Sequence, residues 1–163
     1  MKQRSESELL HLAAAYCSTA ERCISDVKKK ITTAGGQSDM ADRIISYLLK
    51  EKFIDEARFC RSFVNDKLLF NHWGRVRINY ELRKKEIKPT LIAEAIDNID
   101  ENKYADILSE LLISKKRTTK GRSGQDIFNK LYRFAAGRGF ESDIILKYLK
   151  PLFTESYEAD NME

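Results

Sequence analysis

Residues 53–99 read FIDEARFCRSFVNDKLLFNHWGRVRINYELRKKEIKPTLIAEAIDNI, and this stretch decides the fold. Asp55 is placed as an N-cap, followed by Glu56 where a helix start favours negative charge. Phe59, Cys60, Phe63 and Val64 then give a wide apolar face at helical spacing. Asn71-His72-Trp73-Gly74 is a turn. Trp73 belongs at the start of the next helix, where a hydrophobic residue ahead of an N-cap packs; stacking on a nucleobase is its alternative role. From Arg75 to Glu86, the apolar Val76, Ile78, Tyr80 and Leu82 are set among Arg75, Arg77, Arg83, Lys84 and Lys85. That arrangement predicts an amphipathic helix with a basic outer face. Lys88-Pro89-Thr90 breaks it, and Thr90 is expected to cap a third helix over Leu91–Asn98, with Leu91, Ile92, Ala95, Ile96 and Ile99 inward.

The same succession of helices recurs on both sides. At an offset of 53 residues, Ile78 falls on Leu131, Leu82 on Ala135, Ile87 on Phe140, Ile92 on Ile145 and Ile96 on Leu149, while Arg77 falls on Lys130. The match carries across an inter-helix turn without a gap, which helix periodicity alone does not explain. Upstream, Val27 and Ile31 take the places of Ile78 and Leu82. The chain therefore reads as three helical repeats, residues 1–52, 53–100 and 101–152, followed by a tail at 153–163. Units this small cannot bury a core alone and must stack, which predicts an all-α, elongated and curved body.

In the first repeat, Leu9, Leu12, Ala13 and Tyr16 share a helix face over Ser5–Cys17. Ser18-Thr-Ala-Glu21 is read as a capping box for a second helix, which carries Cys23, Ile24, Val27 and Ile31 inward and ends at Gly35-Gly36. Lys28, Lys29 and Lys30 suit the negative end of that helix dipole. Met40, Ala41, Ile44, Ile45, Leu48 and Leu49 line the third helix. In the last repeat, Tyr104, Ile107, Leu108, Leu111 and Leu112 form the first face. A basic loop follows over Lys115–Arg122, with five cations in eight residues and no carboxylate. Ser123-Gly-Gln-Asp126 restarts a helix, Gly137-Arg-Gly-Phe140 ends it, and Pro151 stops the one after that.

Composition agrees with this plan. The 163 residues are 42% hydrophobic and 33% charged, and the 7 Gly and 2 Pro sit where helices would end. The net charge of +4 is uneven. Glu155–Glu163 holds four acidic residues and no Lys or Arg, so residues 1–154 carry +8. A basic body with an acidic tail suits a polyanionic partner, or a protein surface coating one. Cys17, Cys23 and Cys60 are odd in number, form no CxxC pair and read as buried cytosolic thiols. The longest uncharged run, Leu9–Ala20, is too short to span a bilayer, so a cytoplasmic location is expected.

Catalytic chemistry finds no support. His11 and His72 stand apart from any recognisable nucleophile, and Gly121-Arg-Ser-Gly124 has neither Walker nor dinucleotide spacing. No His/Cys/Asp cluster has metal spacing, and no cofactor is expected.

Two segments together resemble the RecX family, bacterial regulators of the RecA recombinase. They are Phe53-Ile-Asp-Glu-Ala-Arg-Phe59 and Gly74-x-x-Arg-Ile-x-x-Glu-Leu-Arg-x-Lys-x-Ile87; Arg138-Gly-Phe140 is similar to the same family's repeat ending. The likeness covers roughly Ser18 to Leu152. It implies three tandem three-helix repeats, no enzymatic activity, and binding in the groove of RecA filaments on single-stranded DNA, restraining recombinase, ATPase and co-protease activity. Two positions depart from the family: Glu56 where a second Asp is common, and Glu86 where a glycine commonly precedes the Ile. The acidic tail is outside the family's pattern.

Chosen by charge, the residues expected to dock on RecA and the enclosed DNA are Arg75, Arg77, Arg83, Lys84 and Lys85, with Lys115, Lys116, Arg117, Lys120, Arg122 and Arg133. A monomer is expected. The rival reading is a stand-alone nucleic-acid-binding helical protein that uses the 115–122 loop.

Overall fold

A computed structural model describes residues 3–154, and its elements are all helices. They are α1 (Glu6–Thr19), α2 (Ile24–Thr33), α3 (Ser38–Lys50), α4 (Glu56–Leu69), α5 (Arg75–Lys84), α6 (Pro89–Asp97), α7 (Glu101–Thr118), α8 (Gly124–Gly137) and α9 (Ser142–Leu149). α9 ends at Leu149, just ahead of Pro151 as expected, and a separate helical turn over 151–154 begins at that proline; the acidic stretch from Glu155 onward lies outside the described residues. The described residues fall into two compact units, one within Met1–Phe63 and Glu81–Ala95, the other within Val64–Tyr80 and Ile96–Glu163.

In the first unit α1, α2 and α3 pack pairwise around Leu9, Ala13, Val27, Ile31, Ala41, Ile44, Ile45, Leu48 and Ile54. Each fully buried Leu or Ile there contributes about 1.5–3 kcal/mol of transfer free energy. Leu49, expected inward, is 38% exposed. Ser5 caps α1 by accepting the Glu8 N–H.

The expected capping box at Ser18–Glu21 does not form. α1 runs on through Thr19, and the Ser18 and Thr19 hydroxyls donate to the Ala15 and Tyr16 carbonyls behind them. α2 starts only after Cys23, which makes no side-chain cap bond. Its first amide is served from another helix: the Ile24 N–H donates to Glu56 Oε2 of α4 at 3.3 Å. Burial is the main influence on that carboxyl and pushes its pKa up, while the Ile24 bond works the other way. Glu21 pairs with Arg58 at 2.5 Å. Asp55 caps α4 as expected, accepting the Arg58 N–H at 3.0 Å.

Helix ends show the repeat most plainly. At the end of α2, Gly35 has φ +103°, the Gly35 N–H donates to Thr32 O and the Gly36 N–H to Ile31 O, a complete Schellman motif. At the end of α8, Gly139 has φ +94°, with the Gly139 N–H on Ala136 O and the Phe140 N–H on Ala135 O. The equivalent residue after α5 is Glu86, and it takes the same left-handed conformation, φ +61°, without being glycine. The turn is kept and strain is accepted.

The second unit packs α7, α8 and α9 against one another over Tyr104, Leu108, Leu112, Leu131, Ala135, Phe140, Ile145 and Leu149. Ile78, Leu82, Ile87 and Ile92 are buried like their partners Leu131, Ala135, Phe140 and Ile145, while Ile96 is half-buried against a buried Leu149. Val76 and Tyr80 break the expected apolar face of α5: they are 56% and 61% exposed. At 3.6 residues per turn they lie opposite Ile78 and Leu82, so the helix buries one pair only. α6 begins at Pro89, whose missing N–H costs nothing at a first helical position, and Thr90 lies inside the helix instead of capping it.

Candidate partner-binding surface

Sequence placed Lys115–Arg122 in a loop. The structure puts Lys115, Lys116 and Arg117 in the last turn of α7, where cations suit the helix dipole, and only Thr119–Ser123 connects to α8. Ser123 caps α8 by accepting the Asp126 N–H at 3.1 Å, and the Asp126 carboxylate reaches back to the Arg122 N–H at 3.1 Å. That backbone bond, aided by Lys130, holds the Asp126 pKa below the ordinary carboxylate range. The connection is braced again by Lys130 Nζ, which donates to the Lys120 carbonyl at 2.7 Å. Backbone bonding thus fixes the loop while leaving its cationic tips outward.

Among the described residues no carboxylate lies within ion-pair distance of Arg117, Lys120 or Arg122, and all three are exposed. Lys115 lies with Nζ 4.9 Å from the Phe134 ring centre. Lys116 is committed: it donates to the Leu152 carbonyl at 2.6 Å and sits 4.6 Å from the Phe153 ring centre. Phe153 in turn packs edge-on against Phe128 at 5.3 Å. Ile113, Lys116, Arg117 and Leu152 line an open hollow there. Arg133 is exposed on α8, its Nε donating to Asn129 O at 3.3 Å.

The α5 cations separate into different environments. Arg75 is a strut of the second unit, ion-paired to Glu101 at 2.5 Å and Glu141 at 3.0 Å, its side chain only 17% exposed. Its guanidinium lies over the Tyr104 ring at 4.0 Å, and the Tyr104 hydroxyl donates to Glu141 while accepting the Arg75 N–H at 3.1 Å. Burial, then the Glu141 bond, push the Tyr104 pKa far up. Lys85 is likewise occupied, bonded to Asp26 at 3.0 Å in the first unit. Arg83 and Lys84 are exposed. Arg77 lies 4.2 Å from the centre of the Trp73 ring, which also has Lys67 Nζ at 4.9 Å. Trp73 is therefore flanked by cations as well as placed ahead of α5, and such contacts contribute about 0.5–1 kcal/mol when exposed.

Charge counting missed Lys147 and Lys150. Both are exposed on or just beyond α9 and line a second open hollow with Asp143, Leu146, Pro151 and Thr154. They are spaced along a helix, so no run of cations marks them. Among the described residues no group of His, Cys, Asp and Glu could hold a metal ion, and no helix is long and apolar enough to cross a membrane.

The RecX second three-helix domain matches residues 55–96, and the RecX third three-helix domain matches residues 102–149. The chain belongs to the RecX family. Similarity to individual RecX proteins extends further. The regulatory protein RecX of Clostridium botulinum strain Eklund 17B is 28% identical over 90% of this chain and 70% of its own length. That of Chlorobium limicola is 22% identical over 99% of both chains. Other clostridial RecX proteins are matched over 53–62% of their length. The crystal structure of RecX from Lactobacillus salivarius superposes with a TM-score of 0.79 at 21% identity, covering 90% of this chain and 96% of that one, and bears out the all-α repeat fold. RecX proteins are named as regulatory proteins, so a regulatory role is the coarse function of this chain.

Proposed function

We propose that this RecX protein binds the RecA filament on single-stranded DNA in the cytoplasm and restrains its recombinase, ATPase and co-protease activities, thereby regulating DNA repair. It acts without a cofactor, as a monomer built of three tandem repeats over residues 1–52, 53–100 and 101–152. The observation that carries the reading is a set of outward cations, Arg117, Lys120 and Arg122, with no carboxylate partner among the described residues, on a chain of the RecX family. Lys115, Arg133, Lys147 and Lys150 extend that set, and Arg83 and Lys84 supply exposed charge on α5. Arg75, Lys85 and Lys116 are given structural roles because their charges are already engaged. Each exposed contact contributes about 1 kcal/mol or less, so docking depends on their sum.

RecA ATPase on single-stranded DNA, with this protein titrated in well below the DNA concentration, tests the reading. Loss of activity at such ratios is the expected result. Inhibition only when the protein coats the DNA would overturn filament modulation and favour a stand-alone nucleic-acid-binding protein. Arg117, Lys120 and Arg122 support that second reading too, in which binding to bare DNA falls steeply with salt through counterion release.

A further inference from the structure

The described residues end beside Arg117 of the cationic surface. Lys116 holds the Leu152 carbonyl at 2.6 Å, Phe153 packs on Phe128 at 5.3 Å, and Leu152 lines the same hollow as Arg117. Three residues after Leu152 begins Glu155–Glu163, with Glu155, Glu158, Asp160 and Glu163 and no cation. The point of departure is thus fixed against the last turn of α7. Nine residues extend at most about 30 Å, more than enough to pass along Arg117, Lys120 and Arg122. A short tether also keeps the local concentration of those carboxylates in roughly the millimolar range, whatever the protein concentration.

We propose that Glu155–Glu163 occupies the cationic surface formed by Arg117, Lys120 and Arg122, and that an external polyanion must displace it. The inference rests on the reading that this surface meets a polyanion, and it adds a built-in competitor. The carboxylates stand in for phosphates: they offer negative charge without the regular spacing of a nucleic-acid backbone, so displacement by a longer polyanion is favourable. Surface ion pairs of this kind are weak and salt-screened, so the tail lowers affinity by a moderate factor and does not block the site.

The test compares the full chain with a variant of equal length carrying Glu155→Gln, Glu158→Gln, Asp160→Asn and Glu163→Gln, and with a chain ending at Thr154. Backbone amide resonances of residues 117–122 are expected to shift in both variants at low salt, with those around Leu131 unmoved, and the differences should vanish at high salt. Both variants should also bind a short oligothymidylate about three- to tenfold more tightly at low salt. Unmoved amide resonances at 117–122 would overturn the docked tail, whatever the RecA assay reports. Shifted resonances with unchanged oligothymidylate affinity would overturn the competition and remove this surface from the polyanion-binding role proposed above.

Discussion

Gly74 and Gly139 meet backbone to backbone: the Gly74 N–H donates to the carbonyl of Arg138 at 2.8 Å, and the Val76 N–H donates to that of Gly139 at 2.9 Å. A Cβ on Gly74 would strike the Gly139 peptide, and one on Gly139 would strike Arg77. The left-handed turn after α8 is therefore also the surface on which the start of α5 rests, and the amides of Gly74, just before the helix, and of Val76, in its first turn, find their acceptors there.

Gly139→Ala is expected to destabilise the protein by roughly 2–4 kcal/mol, combining overpacking with left-handed strain. Gly137→Ala, two residues earlier, meets nothing within 4 Å and gains helix propensity. It should be neutral or stabilising by up to about 1 kcal/mol. Urea denaturation of the two variants checks the contrast. Equal effects would show that the close approach at Gly139 is unimportant.

Glu86→Gly should stabilise. Glu86 holds a left-handed conformation that glycine adopts freely, and its positional equivalents Gly35 and Gly139 are glycine. The expected gain is about 0.5–1 kcal/mol, read as a rise of about 2–5 °C in Tm. A β-branched residue at the same position should lower Tm instead. A lower Tm for Glu86→Gly would mean that the Glu86 side chain contributes more than its backbone strain costs.

Two kinds of arginine are distinguishable by experiment. Arg117→Gln together with Arg122→Gln should leave stability within about 0.5 kcal/mol. The pair should reduce the slope of log K against log salt for single-stranded DNA by roughly 0.7 per residue. Arg75→Gln should cost about 2–3 kcal/mol of stability, because Glu141 and Glu101 lose their cation, and should leave that slope unchanged. A changed slope for Arg75→Gln would place it on the binding surface after all.

Thiol chemistry gives a pH signature. Burial raises the Cys60 pKa from its ordinary 9.0 to about 11, with smaller influences from Glu56 and Cys23. The folded chain then keeps a proton that the unfolded chain releases, so stability is full below pH 9 and falls as pH rises from about 9 to about 11. Cys60→Ala should flatten that decline in denaturation measured across this range. Cys23 and Cys60, both buried, should react with a thiol reagent only after unfolding, while the partly exposed Cys17 reacts sooner.

How far the sequence could be read depended on whether a residue's partner lay nearby in the chain. The offset linking Ile78 to Leu131 and Ile92 to Ile145 predicted buried pairs, and the caps at Asp55 and Ser123 formed, because each depends on helical period or on amides a few residues away. The capping box at Ser18 failed for the complementary reason: the α2 amide found Glu56, 32 residues on. Arg75 and Lys85 looked like free surface charge, yet Glu141 and Asp26, 66 and 59 residues away, had claimed them. Lys115–Arg117 read as loop in the sequence because a run of cations hides the apolar period that marks a helix, which here continues to Thr118.

The bond from Glu56 to the first amide of α2 bears on how such a chain can be cut and rearranged. Glu56 and Arg58, which hold Ile24 and Glu21, and Lys85, which holds Asp26, all belong to the second sequence repeat and serve the first. A fragment ending at residue 52 would leave the first amide of α2 without its acceptor and Glu21 and Asp26 without their cations. Residues 53–100 are thus not a self-contained cassette: exchanging them between relatives would remove the groups that hold Glu21, Ile24 and Asp26.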